Sequence, residues 1–218
     1  MFELYRALYE ATDAAVSPLV GRALETLGYD RGYSLRPSAQ RAAVPRWEDS
    51  FAWDGRALTT LRPLVLDVGA AGKGYLVDLV GGVLHDGGVH RFVIDASGDI
   101  LHAGGPPIRV GLEHPHDPTS VIGVVELADG SLCASASNRR TWGDGLHHVL
   151  DATTGLPTGS VIATWAMAST GLVADGLATA LFFADPARLA ERFDFDFVRM
   201  FADGRIERSE HLDGELFL

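Results

Sequence analysis

Phe2, Leu4, Tyr5, Leu8 and Tyr9 recur at near-helical spacing at the start of the chain, which predicts an amphipathic helix. The pattern breaks at SPLVG, where Pro18 can begin a second helix. From about Asp30 to Thr60 the periodicity fades among Pro37, Pro45 and several arginines, which predicts a long irregular connection. LVLDVGAAGKGYLVDLVGGVLHDGG then predicts a strand ending near Asp67, a glycine-rich turn, and a helix from about Lys73 to His85. The runs HRFVIDASGDILHAGG, IRVGLEH and SVIGVVELADGSLCASAS predict successive strands with turn signals such as Asp129-Gly130. HHVLDATTG adds a strand and a turn, SVIATWAMA a strand, STGLVADGLATALFFAD an apolar helix, and DFDFVRMFADGRIERS a closing hairpin about Asp203-Gly204. Strands come in runs rather than in strict alternation with helices, so the expected class is α+β.

One polar residue disturbs the apolar helix. Asp175 and Thr179 are four positions apart, hence one turn apart on one face. Both residues can be ordinary helix constituents, the threonine bonding back to its own turn. The setting is small and apolar, however, and a buried carboxylate needs a partner. No Lys or Arg lies between Arg140 and Arg188 to supply one locally, which leaves a basic side chain from elsewhere or a bound cation. The turn Gly69–Gly74 matches neither the phosphate-loop spacing nor the dinucleotide fingerprint. A tight turn leading into a helix N-terminus, with Lys73 beside it, is still a candidate anion site; the alternative is a plain connection.

Composition narrows the classes. The 218 residues, 47% hydrophobic and 22% charged, are enough for a globular core. A net charge of −11 argues against a nucleic-acid-binding face, and a phosphate-ester substrate would need a metal to offset it. The single Cys133 excludes an intrachain disulfide framework. MFELYRALYEATDAAV lacks the basic and apolar regions of a signal peptide, and no apolar run is long enough for a span. The expected location is cytoplasmic.

Several motifs in order resemble one family, the ApbE-type FAD:protein FMN transferases. LDVGAAGKGYLVD is similar to its D-[LV]-G-[GA]-x-[AG]-K-G-Y-x-[VA]-D segment, VIDASGDI to N-x-G-G-D-I, and SASNRR to S-G-x-x-x-R. HHVLDATTGLP resembles H-x-[IL]-[IL]-D-P-x-T-G-x-P, ADGLATALF resembles A-D-x-[LA]-[AS]-T-A-[LI]-F, and TDAAVSPLVG resembles T-D-G-x-F-D-P-x-[VL]-G. The likeness runs from Ala11 to about Asp185. It implies a T-fold-like α+β domain over residues 1–218, with mixed or antiparallel sheets and packed helices. It also implies magnesium-dependent cleavage of FAD, with FMN passed to a Thr or Ser hydroxyl of an acceptor flavoprotein and AMP released.

By motif position, Asp175 and Thr179 would bind magnesium through side-chain oxygens and Ala70 through its carbonyl. Lys73 and Asp67 would touch FAD, Leu150 would meet the nucleotide through its main chain, and Ala15, Val16 and Ser17 would belong to the same pocket. His148 would be the general base for the acceptor hydroxyl, with His147 on the opposite face of the strand. Asp99 and Asp151 would shape turns. The sequence departs from the pattern at Val16, Ser17, Ser97 and Ala136, and lacks the M-G-T-like and S-x-L-S-like segments usual upstream. An FAD pyrophosphatase and a non-catalytic flavin-nucleotide binder need the same site and stay open.

Overall fold

The computed structural model describes residues 1–217. Helix α1 (Phe2–Ala11) is followed by a 3-10 turn (Pro18–Val20) and α2 (Gly21–Thr26). Ser17 caps that turn, its Oγ accepting the Leu19 N–H at 3.2 Å, with Pro18 at the first position where no N–H is needed. The irregular connection beyond α2 contains one feature the sequence pattern did not show, a hairpin of β1 (Phe51–Trp53) and β2 (Leu58–Thr60). The strand expected to end near Asp67 does not form. That stretch instead packs on the helices: Val65 Cγ1 would lie 2.7 Å from a Cβ on Gly21, and the Asp67 N–H donates to the Pro18 carbonyl at 2.8 Å.

Helix α3 (Gly72–Asp86) leads to β3 (Phe92–Asp95), β4 (Asp99–Ala103), β5 (Ile108–His114), β6 (Asp117–Leu127) and β7 (Gly130–Ala136). Four very short strands follow: β8 (Thr141–Trp142), β9 (Leu146–His147), β10 (Leu150–Asp151) and β11 (Leu156–Pro157). Then come β12 (Val161–Ala168), α4 (Gly171–Ala180), α5 (Pro186–Ala190), the hairpin β13 (Asp196–Phe201) and β14 (Ile206–Arg208), and β15 (Gly214–Leu216). A six-stranded sheet runs β14-β13-β12-β7-β4-β3 and a three-stranded one β15-β6-β5, every pairing antiparallel. Asp129-Gly130 therefore turns the chain from the small sheet into the large one rather than closing a hairpin.

The pleat of β12 shows how the layers divide. Ala163 and Trp165 join Leu112, Val125, Leu132 and Val198 in the core between the two sheets. Thr164 and Ala166 face the other way, and the Thr164 hydroxyl donates to the Ala178 carbonyl of α4 at 2.5 Å. On that side α1 and α4 form a second core around Tyr5, Leu8, Leu177 and Leu181. Helix α3 is apolar nearly all round, yet only Gly74, Val77 and Gly81 are buried, while Leu76, Leu79, Val80 and Val83 are exposed. Among the described residues no helix is long and apolar enough to cross a membrane.

Candidate active site

Helices α3 and α4 meet backbone to backbone. A Cβ on Gly74 would sit 2.0 Å from the Gly171 carbonyl oxygen, and one on Gly171 would sit 2.6 Å from the Gly74 oxygen. Across this contact each helix caps the other. The Gly74 N–H, in the first turn of α3, donates to Asp175 Oδ2 at 2.9 Å. The Gly171 and Leu172 N–H groups, which open α4, donate to Asp78 Oδ1 and Oδ2 at 2.7 and 2.8 Å. These first-turn donors have no partner within their own helix, and a carboxylate also complements the local dipole. The arrangement is written twice in the sequence, as G-x-x-x-D in Gly74–Asp78 and in Gly171–Asp175. Only the second copy drew notice there; Asp78 did not.

Asp175 therefore has a partner for one oxygen, the start of α3 rather than a basic side chain. That is not enough to neutralise it. The carboxyl is pushed up to about 7, first by burial and then by the negative charge of Asp99, against the opposing Gly74 N–H and Lys73. Asp99 is fully buried, and burial raises its carboxyl as well. Its counter-ion is Lys73, whose Nζ lies 3.0 Å from Asp99 Oδ2, out of line for a hydrogen bond, and donates to the Ser97 carbonyl at 3.3 Å. Cys133, buried with them, has its thiol raised by burial first and then by both carboxylates. Two buried carboxylates thus share one ammonium, an environment that favours an additional cation.

The nearby donors are oxygens: the second Asp175 oxygen, the Thr179 hydroxyl, which makes no hydrogen bond among the described residues, and the Ala70 carbonyl. Among those residues no three His, Cys, Asp or Glu side chains converge to hold a metal. Such a set fits a hard cation that keeps waters and substrate oxygens as its other ligands, as magnesium does, and does not fit zinc. The glycine turn offers less to an anion than its sequence implied. The Ala71 and Gly72 N–H groups donate to the Val68 carbonyl at 3.2 and 2.7 Å, and Gly74 is taken by Asp175, so the Lys73 ammonium is the stronger candidate for an anion there.

A cleft of about 1070 Å³ opens beside the helix crossing. Asp67, Ala70, Lys73, Asp175 and Thr179 line it from α3, its preceding turn and α4; Val16, Ser17, His148 and Leu150 line it from the turn after α1 and the short strands. Ala15 does not line it. It is buried, and its carbonyl accepts the Ala152 N–H at 2.9 Å, so it holds the segment that carries Leu150. Two of the lining side chains are already occupied: Ser17 caps its helix, and Asp67 Oδ1 accepts the Gly69 N–H at 2.8 Å to build the turn. Asp151 likewise closes its own turn, its Oδ1 accepting from Thr153. The cleft continues between the sheets along Ile108, Val110, Leu132 and Trp165.

The two histidines separate cleanly. His147 is tied into the fold by a 2.7 Å bond to the Thr158 carbonyl and by the Val149 N–H on its other nitrogen. His148 lies in the cleft, lowered to about 4 by burial, then by Arg140 and His147, so it is neutral at ordinary pH. Its Nδ1 is buried without a partner among the described residues. Beside it the sequence reading missed Tyr29, whose ring centroid is 6.5 Å from that of His148 and whose hydroxyl accepts from Arg140 at 2.9 Å. Both also line the cleft. Of the two positions where glycine is common, Ala136 is extended at φ −146°, whereas Ser97 is left-handed at φ 59° and carries the strain of an L-residue there.

The model of the ApbE family matches residues 1–196. The FAD:protein FMN transferase of Vibrio cholerae is 28% identical over 194 residues, which cover 78% of this chain and 54% of that protein. A Klebsiella pneumoniae protein of the same name is 27% identical over 195 residues, covering 82% and 55%. The chain thus spans about half the length of these curated relatives. The crystal structure of the ApbE protein from Thermotoga maritima has a TM-score of 0.80 at 24% identity and covers 95% of this chain and 74% of its own. The flavin transferase ApbE of Vibrio cholerae has a TM-score of 0.75 at 24% identity, covering 96% and 73%. These two structures show that the fold is shared.

Proposed function

Because the chain belongs to the ApbE family, we propose that it moves the FMN half of FAD onto a Thr or Ser hydroxyl of an acceptor flavoprotein and releases AMP. The observation that best supports this reading is the meeting of Lys73, His148 and the under-neutralised Asp99 and Asp175 carboxylates around one cleft of dinucleotide size. Asp175, Thr179 and the Ala70 carbonyl would hold magnesium, which when bound supplies positive charge against the diphosphate. The Lys73 ammonium, half out of the protein and braced by Asp99, would bind a phosphate oxygen from the other side. Ile108, Val110 and Trp165 offer an apolar wall for an aromatic ring of the substrate.

The acceptor oxygen would attack the phosphorus on the flavin side, forming one P–O bond while the bond to the bridging oxygen breaks and leaves with AMP. Neutral His148 would take the hydroxyl proton on its imidazole, and Lys73 would offset charge growing on the leaving phosphate. The test is incubation with FAD, magnesium and a flavoprotein domain carrying an acceptor threonine, followed by in-gel flavin fluorescence and measurement of AMP. A fluorescent acceptor band with matching AMP supports transfer. Free FMN and AMP with a dark band would make the protein an FAD pyrophosphatase, and bound, intact FAD would make it a binder; either result overturns the proposal.

A further inference from the structure

The segment from Arg31 to Trp47 contains four arginines and no acidic residue, in a chain whose net charge is −11. Arg31, Arg36 and Arg41 are exposed and form no ion pair among the described residues; Arg46 is 3.7 Å from Glu48. The segment is nevertheless held in place. The Leu35 and Ser38 N–H groups donate to the Gly28 and Thr26 carbonyls at 2.9 and 2.8 Å, and the Ala42 N–H donates to Thr26 Oγ1 at 3.2 Å, which pins the segment to the end of α2.

No residue of the segment lines the cleft itself, but both its ends touch residues that do or share a wall with it. Tyr33 stands edge-on to Tyr29 at 5.3 Å, and Tyr29 lines the cleft beside His148. At the other end Val44, Pro45 and Arg46 line a second cavity of about 330 Å³ that shares Ser17 with the first. A macromolecule whose hydroxyl is to reach His148 would come in beside Tyr29, on which this segment packs through Tyr33. Unpaired arginines there attract an acidic chain over roughly a Debye length, about 8 Å at physiological salt, while the otherwise acidic protein repels it.

We infer that the arginine-rich segment is the docking surface for the acceptor, and that it selects an acidic polypeptide segment flanking the hydroxyl to be modified. This rests on the transfer reading above and names the chemistry of its partner. The segment is linked to the candidate base through Tyr33 and Tyr29, which favours a protein acceptor over an anionic membrane.

The experiment compares the intact wild-type chain with the triple variant Arg31→Glu, Arg36→Glu, Arg41→Glu and with the triple lysine variant, using a flavoprotein domain whose acceptor threonine is flanked by Asp and Glu. The glutamate variant is expected to raise KM for the acceptor about tenfold to a hundredfold. It should keep wild-type kcat and FAD affinity and lose the salt dependence of kcat/KM, and the lysine variant should behave as wild type. An unchanged acceptor KM overturns the inference. So does wild-type binding to phosphatidylserine vesicles that the glutamate variant loses while its acceptor KM stays the same. If the wild-type chain transfers nothing, the functional reading fails separately. Anisotropy with labelled threonine peptides flanked by glutamates or by lysines then still decides the surface: tighter wild-type binding of the glutamate peptide, lost in the glutamate variant, supports it, and equal binding refutes it.

Discussion

Replacing Gly74 by alanine tests the helix crossing on which the site stands. The new methyl would lie 2.0 Å from the Gly171 oxygen, 2.5 Å from its carbon and 2.7 Å from Asp175 Cβ. Even a close C···O contact needs about 3.3 Å, so the helices must part by roughly 1.3 Å at that point. Hydrogen bonds of 2.7, 2.8 and 2.9 Å that lace them together would lengthen beyond the usual limit of about 3.2 Å. All three have a carboxylate acceptor, worth about 1.5–3 kcal/mol each. Partial relaxation saves some of this, and alanine regains about 1 kcal/mol of helix propensity. A net loss of about 3 kcal/mol or more remains, which lowers Tm by about 6–12 °C in a chain of this size. Gly82, in the same helix with nothing within 4 Å of its would-be Cβ, is the control: Gly82→Ala should gain about 0.5–1 kcal/mol. Thermal and urea unfolding of both variants read the difference. A Gly74→Ala chain that melts with the wild type, or a Gly82→Ala chain that falls as far, would refute the crossing as described.

Other tests follow from the charges and the strained backbone. His148→Ala should slow single-turnover FMN transfer by about 10² to 10⁴ with FAD affinity kept, whereas His147→Ala should act through stability. Because His148 is lowered to about 4, the rate should be flat across neutral pH and fall only on acidification toward that value; a knee near the ordinary imidazole pKa would contradict its burial. Asp175 carries a proton below about 7 in the cation-free chain, so the rise in Tm produced by magnesium should shrink as pH drops through 7, and a pH-independent rise would count against Asp175 as its ligand. Lys73→Ala should weaken FAD binding and also cost stability, on the order of 1 kcal/mol because the ammonium is partly exposed. That cost should largely vanish on an Asp99→Asn background, and equal costs in a double-mutant cycle would deny the pair. Ser97→Gly relieves about 1–2 kcal/mol of left-handed strain against about 0.5–1 kcal/mol of added chain entropy, so a modest rise in Tm is expected, and a fall would mean that the Ser97 side chain has a use.

Much of this protein can be read from local pattern. The spacing of Phe2, Leu4, Tyr5 and Leu8, the glycine stops of α3 and the Asp203-Gly204 hairpin depend on neighbours in the chain, and the elements appear where the pattern puts them. Asp175 and Thr179 stand out because a carboxylate in an apolar helix is locally inconsistent. What the sequence leaves open is decided by contacts between distant segments. LVDLVGGVL is apolar apart from Asp78, and the approach of α4 at Gly74 and of Leu101 and Phe92 at Gly81 makes one face interior and leaves Val83 outside. Asp129-Gly130 has the chemistry of a hairpin turn, yet β6 and β7 have different partners, so it joins two sheets. Strand alternation separates His147 from His148, but Thr158 occupies the first and the cleft receives the second. Asp99 reads as a turn residue until the fold brings Lys73 against it. The two G-x-x-x-D stretches lie 97 positions apart, and neither copy shows that its glycine exists to let its aspartate cap the other helix. That meaning belongs to the pair, because hydrogen bonds and steric contact act across space and chain periodicity does not.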